Sequence, residues 1–262
     1  MVSLSGRRTD WIDYKDSPKY LTKGPADYFD YNYKTNKLMY NLVAPVIKYF
    51  LQKVFWKVKV EGTENIPRDR NFVLMPNHIS HMDSVFAVPN LYPRLSEGIH
   101  AIADEKLFKS PFFRAFAKAF NAFPVRKGSK NLNIVKYAAK RIQNGDSMLW
   151  YPEGQRHKNP SVNHTNTGKL GSGLLAHSID APIIPCFLAG TEFVMPVGKG
   201  IKIGKIPRSI NVLVRYGKPV YLDDLRKLPP SPEVSQEVVE RIMRAIENLR
   251  PNGGYKDQSH KI

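Results

Sequence analysis

Cysteine, acidic charge and long apolar runs are all scarce in this 262-residue chain, and each shortage narrows what it can be. One cysteine, Cys186, leaves no internal disulfide to form, so a reducing compartment or a cytoplasmic face is expected. Asp and Glu number 23 against 40 Lys and Arg, a formal net charge of +17. A surface of that sign attracts nucleic acid, anionic membrane or phosphorylated substrates. The longest stretch free of Asp, Glu, Lys and Arg is 12 residues, Asn71 to Met82, well short of the ~20 that a membrane-spanning helix needs. The first residues, MVSLSGRRTDWIDYKD, lack the apolar core of a secretory signal, and Asp10, Asp13 and Asp16 argue against a transit peptide.

What remains fits one large domain, or one domain with appendages. Residues 1–37 mix charges and tyrosines without periodicity and are broken by Pro18, Gly24 and Pro25, so they read as an irregular arm. Residues 38–60 form an amphipathic segment, rich in large apolar side chains but punctuated by Lys48, Lys53, Lys57 and Lys59. Such a segment either lies on a bilayer surface or packs on the core with its lysines outward.

Beyond it, strands are expected at Val54 to Glu61, Asn71 to Pro76, Ser147 to Tyr151, Pro182 to Leu188 and Ile210 to Tyr216. Helices are expected between them. One starts at Ser110 and Pro111 and carries Phe112, Phe113, Phe116, Ala117 and Phe120 on one face. That face suits either the core or insertion into lipid. A second spans Asn131 to Gln143, with Val135, Ala138, Ala139 and Ile142 at helical spacing, and a third spans Leu170 to Ile179. The last is capped by Ser231, Pro232 and Glu233 and shows an apolar face of Val234, Val238, Val239, Ile242, Ile246 and Leu249. The alternation predicts an α/β domain: a mixed, partly parallel sheet flanked by helices, preceded by the N-terminal amphipathic helical segment.

Three strings carry chemistry. In Pro76-Asn77-His78-Ile79-Ser80-His81-Met82-Asp83, a strand end meets a helix start, where α/β sheets display reactive groups. An aspartate five residues after a histidine can meet its imidazole, fix the tautomer and stabilise the protonated form, which makes a general base. A satisfied turn histidine is the bland alternative. His78-x-x-His81 as a metal pair is disfavoured, because the one cysteine is distant. The second string, Tyr151 to Arg156, follows a strand, and Glu153, Gly154 and Arg156 offer an acceptor, close backbone approach and a fork of donors. The third, Phe123 to Arg126, adds an arginine where a phosphate could be clamped.

In combination these strings resemble the glycerolipid acyltransferase family, which includes the 1-acylglycerol-3-phosphate acyltransferases. His78 and Asp83 match its H-x4-D block, Phe123 to Arg126 its F-x-x-R block, Tyr151 to Arg156 its F-P-E-G-T-R block and Ala181 to Cys186 its V-P-I-I-P-V block. Lys169-Leu170-Gly171 is similar to the family's K-x-G step. Departures are Gln155 for Thr, Tyr151 for Phe and Val125 for a frequent Asp. The resemblance spans roughly residues 60–220, within an acyltransferase domain expected over residues 61–250, and residues 251–262, which it does not reach, read as a tail. It implies His78 and Asp83 as catalytic residues, and Arg126, Glu153, Gly154, Arg156 and Lys169 as acceptor-binding residues.

The implied reaction is direct transfer, with His78 deprotonating an acceptor hydroxyl that attacks a thioester. The acceptor is then 1-acylglycerol-3-phosphate, or alternatively glycerol-3-phosphate or another lysolipid, a choice that Gln155 leaves open. Acyl-CoA or acyl carrier protein is the co-substrate, with no metal and no further cofactor. A covalent acyl-enzyme is disfavoured, because no G-x-S-x-G elbow occurs and Cys186 lies in an apolar strand. Gly171-Ser172-Gly173-Leu174-Leu175-Ala176 fits G-x-G-x-x-A, but a polar loop precedes it instead of a strand, so packing by small residues is the simpler account.

Charge adds a separate argument. Lys106 to Gly145 holds ten Lys or Arg and no Asp or Glu, and Phe193 to Leu222 holds Lys199, Lys202, Lys205, Arg208, Arg215 and Lys218 with no acid. Each such cation near an anionic bilayer is worth ~1 kcal/mol. A peripheral position on the cytoplasmic face of a membrane is therefore expected, with that surface as a partner. Nucleic-acid binding is not expected, since no known binding motif appears and the His/Asp and Glu-Gly-x-Arg strings would go unused.

Overall fold

In the computed structural model the described residues are 37–95, 98–104, 121–125, 132–157, 165–195 and 210–251. The arm before Lys37, the stretch 110–120 where a phenylalanine-rich helix is expected, Arg126 and the tail after residue 251 lie outside them, as do most of the lysines and arginines of both basic tracts.

Seven strands form the framework: β1 (Trp56–Glu61), β2 (Val73–Pro76), β3 (His100–Asp104), β4 (Ala122–Val125), β5 (Met148–Leu149), β6 (Ile183–Ala189) and β7 (Ile210–Tyr216). They join in one sheet, ordered β1-β7-β6-β2-β5-β3-β4. All pairings are parallel except β6 with β7. β1 and β7 thus run together against the other five, which makes the sheet mixed but mostly parallel. Strands β3 and the full β4 were not legible as strands, and β5 is shorter than the expected Ser147 to Tyr151.

Helices cover both faces, and the side-chain alternation of each strand shows why. Along β6, Ile183, Phe187 and Ala189 enter one core, while Ile184, Cys186 and Leu188 enter the other. All seven residues of β6 are buried, which is the continuous apolar pattern of a strand covered on both sides. The first core is closed by α3 (Leu132–Gln143), α4 (Leu170–Ser178) and α7 (Pro232–Glu247). The second is closed by the N-terminal segment and by α2 (Asp83–Ala87). The chain order opens with α1 (Lys37–Pro45) and includes two short helices, α5 (Thr191–Val194) and α6 (Asp223–Arg226).

α7 follows its sequence signals closely. Ser231 Oγ accepts from the Val234 N–H at 3.2 Å, Pro232 occupies the first turn, and Val238, Val239, Ile242 and Ile246 are buried. The second glycine of the G-x-G-x-x-A string serves this packing. A Cβ at Gly173 would sit 1.8 Å from the Ser235 carbonyl oxygen, so only glycine lets α4 lie this close to α7.

The N-terminal segment departs from a single amphipathic helix. α1 gives way after Pro45 to a π-helical stretch, Val46–Leu51, then one α-turn, Gln52–Val54, and the remainder enters β1. Pro45 has no N–H to offer the preceding turn, and the helix widens directly after it. One face packs inward: Tyr40, Ala44, Ile47 and Gln52 are buried, and Gln52 Nε2 donates to the Val85 carbonyl at 3.0 Å. The opposite face is also apolar, with Leu38 70% exposed and Leu42, Val46, Phe50 and Val54 each more than half exposed. The segment therefore does pack on the core, yet it leaves a second apolar stripe uncovered. No helix among the described residues is long and apolar enough to cross a membrane.

Candidate active site

Five strands of the sheet deliver their C-terminal ends to one edge, and β2 and β6 do so side by side at its centre. The residue after β2, Asn77, is locked there. Its Oδ1 accepts from the Leu188 N–H at 2.7 Å and its Nδ2 donates to the Leu188 carbonyl at 2.9 Å, so the loop that follows starts from a fixed point on β6.

That loop folds back on Asp83, the first residue of α2. Asp83 is fully buried, and its Oδ2 receives the backbone N–H groups of Ile79 and Ser80 at 2.8 Å each. The same oxygen lies 2.8 Å from His78 Nδ1, and Oδ1 accepts from the Thr191 hydroxyl at 2.5 Å. Four hydrogen-bond partners around one carboxylate make its burial tolerable and hold it in place. With Nδ1–H directed at Asp83, the imidazole presents Nε2 as its proton acceptor. His78 retains 18% side-chain exposure over an aspartate with none, so the pair has a sealed end and a reachable end.

The loop after β5 packs against this one. The Tyr151 ring stacks on the His78 imidazole, with centroids 3.8 Å apart and planes 21° from parallel. Its hydroxyl shares a 2.8 Å hydrogen bond with Ser84 Oγ, the residue next to Asp83. Burial, chiefly, and the nearby Asp83 charge push the Tyr151 phenol far up, which keeps it neutral. The His157 N–H donates to the His78 carbonyl at 2.7 Å, a second tie between the two loops.

Glu153 departs from expectation. It does not offer its carboxyl to a ligand in solvent: it is fully buried, and Oε1 accepts from the His78 N–H at 3.1 Å. Burial pushes its pKa from the ordinary 4.5 to about 8, against the hydrogen bonds from His78 and Asn166 that pull it down. The folded protein thus holds this proton where the unfolded chain releases it. The stability this proton confers is present below pH 4.5 and is lost as pH rises through about 8. Glu153→Gln, which fixes the neutral state, is expected to flatten the fall in melting temperature between pH 5 and 8. Melting curves with identical slopes in both proteins would refute this.

The other expected residues gather nearby. Gly154 takes φ +66°, a left-handed conformation that glycine accepts freely, and the Lys169 side chain lies against it. The Lys169 N–H donates to the Pro152 carbonyl at 2.8 Å, which sets the start of α4 beside the Glu153-Gly154 turn. Arg156 Nη1 donates to His81 Nδ1 at 2.8 Å. Burial first, then the charges of Arg156 and His78, hold the His81 pKa below its ordinary value, consistent with a neutral acceptor. His78, Asp83, Glu153, Gly154, Arg156 and Lys169 are therefore brought together, whereas Arg126 lies outside the described residues.

Sequence reading gave no role to Thr191, Tyr151 with Ser84, or the Asn77 clamp. A polar residue two positions past the end of β6 was the one available signal for Thr191, and the Tyr151 departure was the signal for the stack. Cys186 lies beneath the site, fully buried, and burial followed by the Asp83 charge pushes its thiol far up, as befits an inert core cysteine. Among the described residues, no three His, Cys, Asp or Glu are grouped to hold a metal ion.

Comparison with known proteins converges on this region. The profile of the family described as Acyltransferase matches residues 57–189. A 1-acyl-sn-glycerol-3-phosphate acyltransferase of Bacillus subtilis is 26% identical over 213 residues, covering 80% of this chain and 98% of that protein. The chloroplastic 1-acyl-sn-glycerol-3-phosphate acyltransferase LPAT1 of Arabidopsis thaliana is also 26% identical, over 55% of this chain and 39% of its own length. The crystal structure of the 1-acyl-sn-glycerophosphate (LPA) acyltransferase PlsC from Thermotoga maritima superposes with a TM-score of 0.59 at 24% identity, covering 81% of each chain, and so shares the fold.

Proposed function

Because the chain belongs to the acyltransferase family, we propose that it moves a fatty acyl group from a thioester donor to the free hydroxyl of 1-acylglycerol-3-phosphate, forming phosphatidate. The observation that carries this reading is the His78–Asp83 couple: a reachable imidazole whose far nitrogen is tied to a sealed carboxylate. The names of the curated relatives support the acceptor.

In this mechanism His78 Nε2 takes the proton of the acceptor hydroxyl as its oxygen attacks the thioester carbonyl. The tetrahedral intermediate collapses, the C–S bond breaks, and the departing thiolate takes the proton back from His78. Asp83 stabilises the imidazolium between those steps. Arg156, Lys169, the backbone at Gly154 and Arg126 would bind the acceptor phosphate, by charge and by N–H donors. Glu153 would scaffold the His78 backbone. The donor would be acyl-CoA or acyl carrier protein, with no metal or further cofactor.

The substrate is a lipid, and the exposed stripe of Leu38, Leu42, Val46, Phe50 and Val54 supports a peripheral position on an anionic membrane, at its cytoplasmic face. Leu42→Glu combined with Phe50→Glu is expected to weaken sedimentation with phosphatidylglycerol vesicles by about tenfold or more, since each apolar side chain removed from lipid costs ~1.5–3 kcal/mol. Undiminished sedimentation would leave the stripe without this role.

The reading itself is tested by transfer of labelled acyl groups from acyl-CoA and from acyl carrier protein to 1-acylglycerol-3-phosphate, glycerol-3-phosphate and neutral lysolipids. Labelled phosphatidate is the expected product. A folded protein that acylates none of these in the presence of lipid would overturn it.

A further inference from the structure

The general-base reading explains Asp83 but leaves the ring stacked on the imidazole unused. His78 is gripped on two sides, at Nδ1 by Asp83 and across its face by Tyr151. The two grips form a closed circuit. Asp83 is followed by Ser84, Ser84 Oγ bonds the Tyr151 hydroxyl at 2.8 Å, and the Tyr151 ring returns to His78 at 3.8 Å. The hydrogen bond to Asp83 fixes one ring nitrogen but still permits the imidazole plane to tilt about that bond. A stacked ring removes the tilt.

Resting on the transfer reaction proposed above, we propose that Tyr151 is a positioning residue for it, holding the plane of His78 and favouring the imidazolium formed when His78 takes the acceptor's proton. An aromatic face carries negative quadrupole density, so a cation developing beside it is stabilised, and more strongly where water is excluded. The Tyr151 ring approaches that condition, since it is half-buried and packs against the core beneath the site. The neutral imidazole of the ground state gains less, so the stack acts preferentially on the transition state. The hydroxyl has the lesser part, anchoring the ring through Ser84. The other charged or titratable groups around His78 are Asp83, Glu153 through the backbone, and His81 with Arg156 behind it.

The test separates the ring face from the hydroxyl and from mere space filling. Tyr151→Phe should keep kcat within about threefold of wild type, because the ring remains. Tyr151→Leu should lower kcat by about tenfold to a hundredfold with the acceptor KM changed by less than about twofold. Should the leucine variant fail to fold, a graded series keeps the question open to decision: phenylalanine, 4-fluoro-, 3,5-difluoro- and pentafluorophenylalanine placed at position 151. These rings differ little in shape while their faces lose electron density stepwise, so kcat should fall stepwise, by about tenfold overall.

A flat fluorine series, or a Tyr151→Phe variant as slow as Tyr151→Leu, overturns the inference. A wild type that acylates nothing is a different result, visible before any variant is compared, and it overturns the proposed function. The contact has its own readout independent of turnover. Wild-type His78 ring protons should resonate upfield under the Tyr151 ring current and return downfield in Tyr151→Leu, and unmoved resonances would overturn the stack itself.

Discussion

His78→Ala is expected to lower kcat by about 10² to 10⁴, the usual contribution of a positioned general base, while the protein melts within a few degrees of wild type. The two halves of that expectation come from different parts of the geometry. Activity falls because its described neighbours do not replace it: Tyr151 is neutral and turned to Ser84, His81 Nδ1 is occupied by Arg156, and Cys186 is buried. Stability survives because Asp83 keeps its other donors, the N–H groups of Ile79 and Ser80 and the Thr191 hydroxyl. Acyl transfer and thermal unfolding on one preparation check both halves. Retention of a tenth or more of wild-type activity would assign the base to another residue.

Asp83 separates into two variants with different signatures. Asp83→Ala leaves two backbone N–H groups, one hydroxyl and the imidazole without their shared acceptor, in a place where that carboxylate has no solvent exposure. Each unsatisfied buried donor costs ~1–3 kcal/mol, so a loss of several kcal/mol, a large part of the stability of an ordinary domain, is expected. Asp83→Asn keeps one acceptor oxygen for His78, Ile79 and Ser80 and can turn its amide toward Thr191 Oγ, which accepts as well as donates. It should therefore fold markedly better than the alanine variant and still lose roughly 10² or more in kcat, because an amide does not stabilise an imidazolium as a carboxylate does. Denaturant unfolding gives the first comparison and turnover the second. Equal activity in Asp83→Asn and wild type would show that the carboxylate only shapes the loop.

What was readable from the sequence divides by distance along the chain. The His78–Asp83 spacing, the Ser231 cap and the unbroken apolar run of β6 are local signals, and each appears in the structure where it was expected. The Tyr151 and Thr191 contacts are not local. Thr191 reaches Asp83 across 108 residues of chain and Tyr151 reaches Ser84 across 67, so only the sheet order brings them together. Glu153 shows the reverse case, a local signal that did not give the direction of the side chain. Its residue type suited ligand binding, but the turn that Gly154 permits directs it inward, toward the His78 backbone. The N-terminal segment was legible as helical but not in its orientation, because it carries apolar residues on two faces and nothing local says which face the core will take.

The order of the sheet also has a consequence for biosynthesis. β1 finds its partner only in β7, where Trp56 pairs with Ile210, and α4 is closed off only by α7, near the end of the described chain. At ~5–20 residues per second, the ribosome takes on the order of ten seconds to supply the strand that β1 awaits. During that interval residues 37–54 have already emerged, with the exposed stripe of Leu38, Leu42, Val46, Phe50 and Val54 available and the sheet still open. On the proposed peripheral reading, contact with a bilayer would precede closure of the catalytic edge, and the nascent chain would mature where a lipid substrate is dissolved.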